Sequence, residues 1–120
     1  MEKYEFKFKY LVGTPIKNGD FENTAVTSQT CDSNFIKGND KWISYVTATT
    51  GGGVLVNLKR EAAGRLPFDY PQLQCHAGSL LDFEFMPHNN NHLATCSSDG
   101  LIKFWELPDD VKAMTNLQPL

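Results

Sequence analysis

A chain of 120 residues with 41% apolar and 21% charged residues has the makeup of an ordinary globular protein, so composition excludes little on its own. A net charge of −3 with scattered cations supplies no broad basic field for phosphates, which argues against nucleic acid or an anionic membrane as the main partner. Three cysteines, Cys31, Cys75 and Cys96, are an odd number at wide spacing; they fit a reducing intracellular setting better than a disulfide framework.

In chain order, residues 4–12 come first, with Tyr4, Phe6, Phe8 and Tyr10 alternating with Glu5, Lys7 and Lys9, the period of a half-buried strand. This opening alternates charge with aromatics instead of presenting an apolar run behind a basic start, and no run approaches the ~18 uninterrupted apolar residues of a membrane span, so a cytosolic protein without a transmembrane segment is expected. Residues 13–40 are rich in Gly, Asn, Asp, Ser and Thr and read mainly as loop, with short strands possible at 24–27 and 34–36. Residues 42–49 and 54–58 are β-branched runs separated by Gly51-Gly52-Gly53, a hairpin signal, because glycine reaches positive φ without steric cost. Residues 59–73 carry Gly64, Pro67 and Pro71 and read as a surface loop.

From Cys75 onward, three apolar strands are separated by a Pro/Asn turn and an Asp-Gly turn, which predicts an antiparallel meander; residues 111–117 hold at most a turn of helix. The predicted divisions are therefore 1–40 (strand and loop), 41–73 (hairpin and loop), 74–108 (meander) and 109–120 (tail or start of a further repeat).

The order His76, apolar strand, Pro87 turn, small-residue strand, Asp99-Gly100 turn and strand ending in Trp105-Glu106 resembles one WD repeat. That resemblance implies a hydrogen-bonded chain of Asp99, His76, Thr95 and Trp105 joining polar groups between the strands. The stretch from Ala48 to Val56, then Gly64-Arg65-Leu66, Tyr70-Pro71 and Met86-Pro87-His88-Asn89, is similar to the N-terminal propeller region of coronins. Phe8-Lys9-Tyr10 and the stretch from Thr30 to Phe35 match the same family upstream, in the same order, so the resemblance spans about residues 5–110. Conventional, tandem-propeller and villidin-like coronins all remain open.

The resemblance implies an all-β chain, a partial WD-repeat β-propeller made of a first blade plus N-terminal strands that complete the last one. On that reading residues 42–58 are outer strands of the final blade and residues 80–107 the inner strands of the first. It also implies a non-enzymatic scaffold that binds actin filaments and other cytoskeletal or trafficking proteins. The alternative is a WD-repeat adaptor, in vesicle trafficking or ubiquitin-ligase recruitment, with no actin contact. Ser28-Gln29-Thr30 lacks a cation where conventional coronins carry an arginine used on actin.

Catalytic and metal readings fare worse. Cys75, His76, His88, His92, Cys96 and Cys31 contain no Cys-x-x-Cys pair and no zinc spacing, and the glycine triplet lacks the Gly-Lys-Ser/Thr of a phosphate loop. Asp99, Ser97, Ser98 and His76 suggest a hydrolytic triad only until the WD repeat gives the aspartate and histidine a structural use. No cofactor and no metal are expected, and Asn89-Asn90-Asn91 reads as a solvated turn. Candidate partner contacts are the cations Lys7, Lys9, Lys59, Arg60 and Arg65, with Lys37 and Lys41 also available; only a cluster on one face would matter.

Overall fold

The structure is a computed structural model that describes residues 13–14, 19–28, 33–48 and 52–120. The strand expected over residues 4–12 lies outside them. Nine strands are present among the described residues: β1 (Phe21–Glu22), β2 (Ile36–Gly38), β3 (Trp42–Val46), β4 (Val54–Lys59), β5 (Gly64–Arg65), β6 (Leu73–Gln74), β7 (Leu80–Phe85), β8 (His92–Ser97) and β9 (Ile102–Glu106). A 3-10 helix, Val111–Asn116, follows.

Two antiparallel sheets carry the fold, one ordered β2-β3-β4-β6 and the other β7-β8-β9, with a small parallel pair β1-β5 beside them. The β3-β4 hairpin runs in register from Trp42 opposite Lys59 to Val46 opposite Leu55, and Gly52 and Gly53 at its turn have φ of 72° and 75°. Gly100, at φ 83°, closes the β8-β9 turn in the same way.

The hairpin does not lie on the outside of its sheet. It holds the two middle positions, because β2 pairs with β3 and β6 pairs with β4. The tight turn before β3 explains the first pairing: the Asn39 side-chain oxygen accepts from the Lys41 and Trp42 N–H groups at 2.9 and 2.8 Å. The segment read as a surface loop therefore contributes β5 and β6, and the possible strand at 24–27 reduces to one bridge between Val26 and Thr47.

Strand alternation gives the first sheet two buried faces. Trp42, Val46 and Leu55 share a core with Leu73, Cys75, Leu80, Phe83, Phe85, Leu93, Trp105, Leu107 and Met114, which joins the two sheets. Tyr45, Val56 and Leu58 face the other way and are covered by Leu66, with Phe21 and Tyr70 packed against them. Each of the large apolar side chains contributes about 1.5–3 kcal/mol by leaving water.

Polar side chains inside the joint are paired. Ser44 donates to the Asn57 oxygen at 2.5 Å, the Asn57 amide donates to the Met114 sulfur at 3.9 Å, and the Trp42 indole donates to Asn91 at 3.0 Å. Lys37 on β2 reaches across to Asp82 and Glu84 on β7 at 2.9 and 3.0 Å.

The far face of the second sheet is different. Ile102 and Phe104, on the side of β9 opposite Trp105, are 70% and 46% exposed, with Leu101 at 52% beside them. A repeat that leaves a sheet face open needs a neighbour to cover it. The 120-residue chain on its own is expected to self-associate in sedimentation velocity runs over rising concentration, and I102K/F104K to shift it toward monomer. A concentration-independent monomer with a sharp thermal transition contradicts this reading.

Candidate functional site

Four side chains from four separate segments meet at one end of the second sheet. Thr95 lies mid-strand on β8, paired with Phe83 and Lys103; Trp105 is on β9, Asp99 in the β8-β9 turn, and His76 in the β6-β7 connection. The His76 ring nitrogens lie 3.1 Å from Asp99 Oδ2 and 2.8 Å from Thr95 Oγ1, and Trp105 Nε1 lies 3.0 Å from the same Thr95 oxygen.

Donor and acceptor chemistry fixes the direction of this chain. An indole N–H only donates, so the Thr95 oxygen accepts from Trp105 Nε1. The Asp99 carboxylate only accepts, so His76 donates to it from Nδ1, and in that tautomer Nε2 accepts from the Thr95 hydroxyl. His76, Thr95 and Trp105 are 2%, 1% and 1% exposed, so the chain runs from the core outward to a carboxylate at the surface. The ring has no nitrogen left to exchange a proton with a substrate. The arrangement ties strands together.

The first sheet holds His76 from the other side. The Gly53 carbonyl accepts from the Cys75 and His76 N–H groups at 2.9 and 3.2 Å, and a β-carbon at Gly53 would collide with the carbonyl oxygens of His76 and Gly78. The glycine triplet is thus a close-approach point between sheets as well as a turn. Cys75 is buried, which pushes its thiol up to about 12 against the opposing charge of Lys103, so it holds its proton at neutral pH and lacks nucleophilic character. Among the described residues no group of three or more His, Cys, Asp or Glu side chains is placed to hold a metal ion.

The candidate cations are dispersed. Lys7 and Lys9 lie outside the described residues. Arg65 is exposed on β5, whereas Lys59 and Arg60 stand together at the end of β4. Lys41 joins them: its ammonium and that of Lys59 each lie 5.8 Å from the centre of the Trp42 ring. Lys41 also pairs with Asp109 at 2.5 Å, and Arg60 meets Asp40 loosely at 4.0 Å. Lys37 is engaged by Asp82 and Glu84. Sequence reasoning missed Asn91 and Asn57 as buried-joint partners; the Trp-directed role of Asn91 has no signal in a run of three asparagines.

Residues 5–65 match the family described as "Domain of unknown function (DUF1899)". Over 103 residues the chain is 33% identical to Coronin-2A of Bos taurus and 32% identical to Coronin-2A of Mus musculus, covering 85% of this chain and 20% of each relative. The chain belongs to the coronin family. A solved WD40 domain of Toxoplasma gondii coronin resembles it with a TM-score of 0.72 at 27% identity, over 81% of this chain and 25% of that one. The coronin resemblance and the all-β, partial-propeller reading of the sequence are both borne out. The chain spans about a fifth of the length of the curated coronins it matches.

Two outcomes follow for this coronin segment. Thr95→Val keeps the side-chain shape but strands the indole N–H and His76 Nε2. Chemical denaturation of the full-length protein should show a loss of about 1–3 kcal/mol, with Thr95→Ser losing much less.

The Asp99 end of the chain responds to acid. Desolvation works against ionising Asp99, yet hydrogen bonds from Ser97, the Leu101 N–H and His76 prevail and hold its carboxyl below the ordinary value. A folded pKa that is lowered gives stability that is complete above the unfolded value, near pH 4, and is lost as pH falls through the folded one. The stability gap between wild type and Asp99→Asn should therefore narrow below about pH 4 in urea titrations; a gap unchanged down to pH 2 would count against an ionised Asp99 at this turn.

Proposed function

We propose that this coronin-family chain is part of a WD-repeat propeller that works as a scaffold, presenting protein-contact surfaces to actin filaments in cytoskeletal organisation. The observation that carries the scaffold reading is the consumption of the reactive side chains: His76, Asp99 and Thr95 spend their hydrogen-bonding capacity on one another and on Trp105. Outward lie charged groups at strand ends and turns, such as Arg60 and Arg65, and the apolar face of β9 with Ile102 and Phe104. Among the described residues no helix is long and apolar enough to cross a membrane.

Actin is the partner that the coronin resemblance implies, and a filament with an acidic surface would be met by lysines and arginines in a salt-sensitive way. One feature favours a second reading, a WD-repeat adaptor in vesicle trafficking or ubiquitin-ligase recruitment without direct actin contact: Ser28-Gln29-Thr30 carries no cation.

Co-sedimentation of the full-length protein with actin filaments at two salt concentrations separates the two. Pelleting at low salt that fades at high salt is expected. No pelleting above background at low salt removes actin and leaves the adaptor.

A further inference from the structure

The ends of β3 and β4 bring three cations onto one surface. Lys41 and Lys59 both stand over the buried Trp42 ring, each 5.8 Å from its centre, and Arg60 follows directly, its N–H bonded to the Lys41 carbonyl at 3.0 Å. The aromatic face attracts both ammoniums and restrains where they can go. In a chain of net charge −3, such a local concentration of positive charge sets how an anionic partner is oriented.

This surface already holds a carboxylate. Asp109 sits 2.5 Å from the Lys41 ammonium, and the hydrogen bond and charge of Lys41, with a weaker pull from Lys59, hold its carboxyl below the ordinary value. Asp109 is 81% exposed on the turn after Pro108, while its neighbour Asp110 caps the 3-10 helix by accepting from the Lys112 N–H at 3.0 Å. The fold therefore draws on Asp110 and leaves Asp109 as a tethered anion. An ion pair so exposed contributes little and exchanges easily for another of the same kind. Arg60 is held loosely by Asp40: its guanidinium donates to the Asp40 carbonyl at 3.3 Å and lies 4.0 Å from the carboxylate, the two side chains being 47% and 94% exposed.

We propose that Lys41, Lys59 and Arg60 form a docking surface for an acidic segment of a partner protein, whose carboxylates displace Asp109 from Lys41. Asp109 is a built-in competitor: it occupies the ammonium pair in the absence of the partner and weakens, without abolishing, the partner's hold. This narrows the scaffold reading above to one surface and rests on it.

A fluorescent decaglutamate peptide, titrated into the full-length protein at low salt and followed by anisotropy, tests this directly. Asp109→Asn removes the competitor and should tighten binding by up to about fivefold, a surface ion pair's worth. K41Q/K59Q should weaken it about tenfold and flatten its salt dependence, whereas K41R/K59R should bind like wild type. Equal affinity across these variants, or weaker binding by Asp109→Asn, overturns the proposal. Should K41Q/K59Q lower the melting temperature, Asp109→Asn and K41R/K59R decide it.

Filament pelleting of the same variants keeps this surface distinct from the actin reading. Peptide binding that follows the expected order while wild type fails to pellet removes actin and leaves the surface standing. Pelleting of wild type with peptide binding indifferent to all variants does the reverse.

Discussion

Burying a tryptophan under neighbouring strands calls for an acceptor for its indole proton, and in this chain the acceptor for Trp105 is Thr95, whose hydroxyl is also bonded to His76. The Asp99 carboxylate at the turn accepts from His76 Nδ1, and in that tautomer the ring's Nε2 accepts from the Thr95 hydroxyl. The chain of donors ends at a carboxylate near water, where the charge costs least. Four residues from a connection, two strands and a turn are thus locked by one direction of proton donation, and the Gly53 carbonyl ties the same connection to the first sheet.

The second sheet was legible because its information is local. His76, the Asp99-Gly100 turn and Trp105 sit at the intervals a short meander imposes, and β7, β8 and β9 fall where alternation and turn residues put them. The first sheet was legible only in its hairpin. Its flanking strands β2 and β6 are three and two residues long, and their pairing is decided by long-range register that no local pattern announces. Leu73–Gln74 follows a proline-rich stretch and reads as loop until β4 is seen beside it.

The candidate contacts divided along the same line. Side chains that meet across a sheet were inferred from the repeat, whereas the gathering of Lys41, Lys59 and Arg60 depends on how a turn and a strand end are brought together over Trp42. Lys37, similar to these in sequence, is instead drawn into the joint by Asp82 and Glu84 and acts as a latch between β2 and β7. Sequence lists cations; only the fold sorts them into those that brace and those that face outward.

The asparagine turn between β7 and β8 carries an implication for how such chains diverge. Asn91 accepts the proton of Trp42, a residue of the other sheet, and its carbonyl accepts the Leu107 N–H at 2.7 Å, while Asn39 binds the neighbouring Asn90 carbonyl at 3.0 Å. Its length is therefore dictated from outside its own hairpin. Most surface turns absorb an inserted residue with little harm; here one added residue would pull an acceptor away from a fully enclosed indole. The turn behaves as a hinge pin between modules, and evolutionary drift in loop length should be steered to other connections.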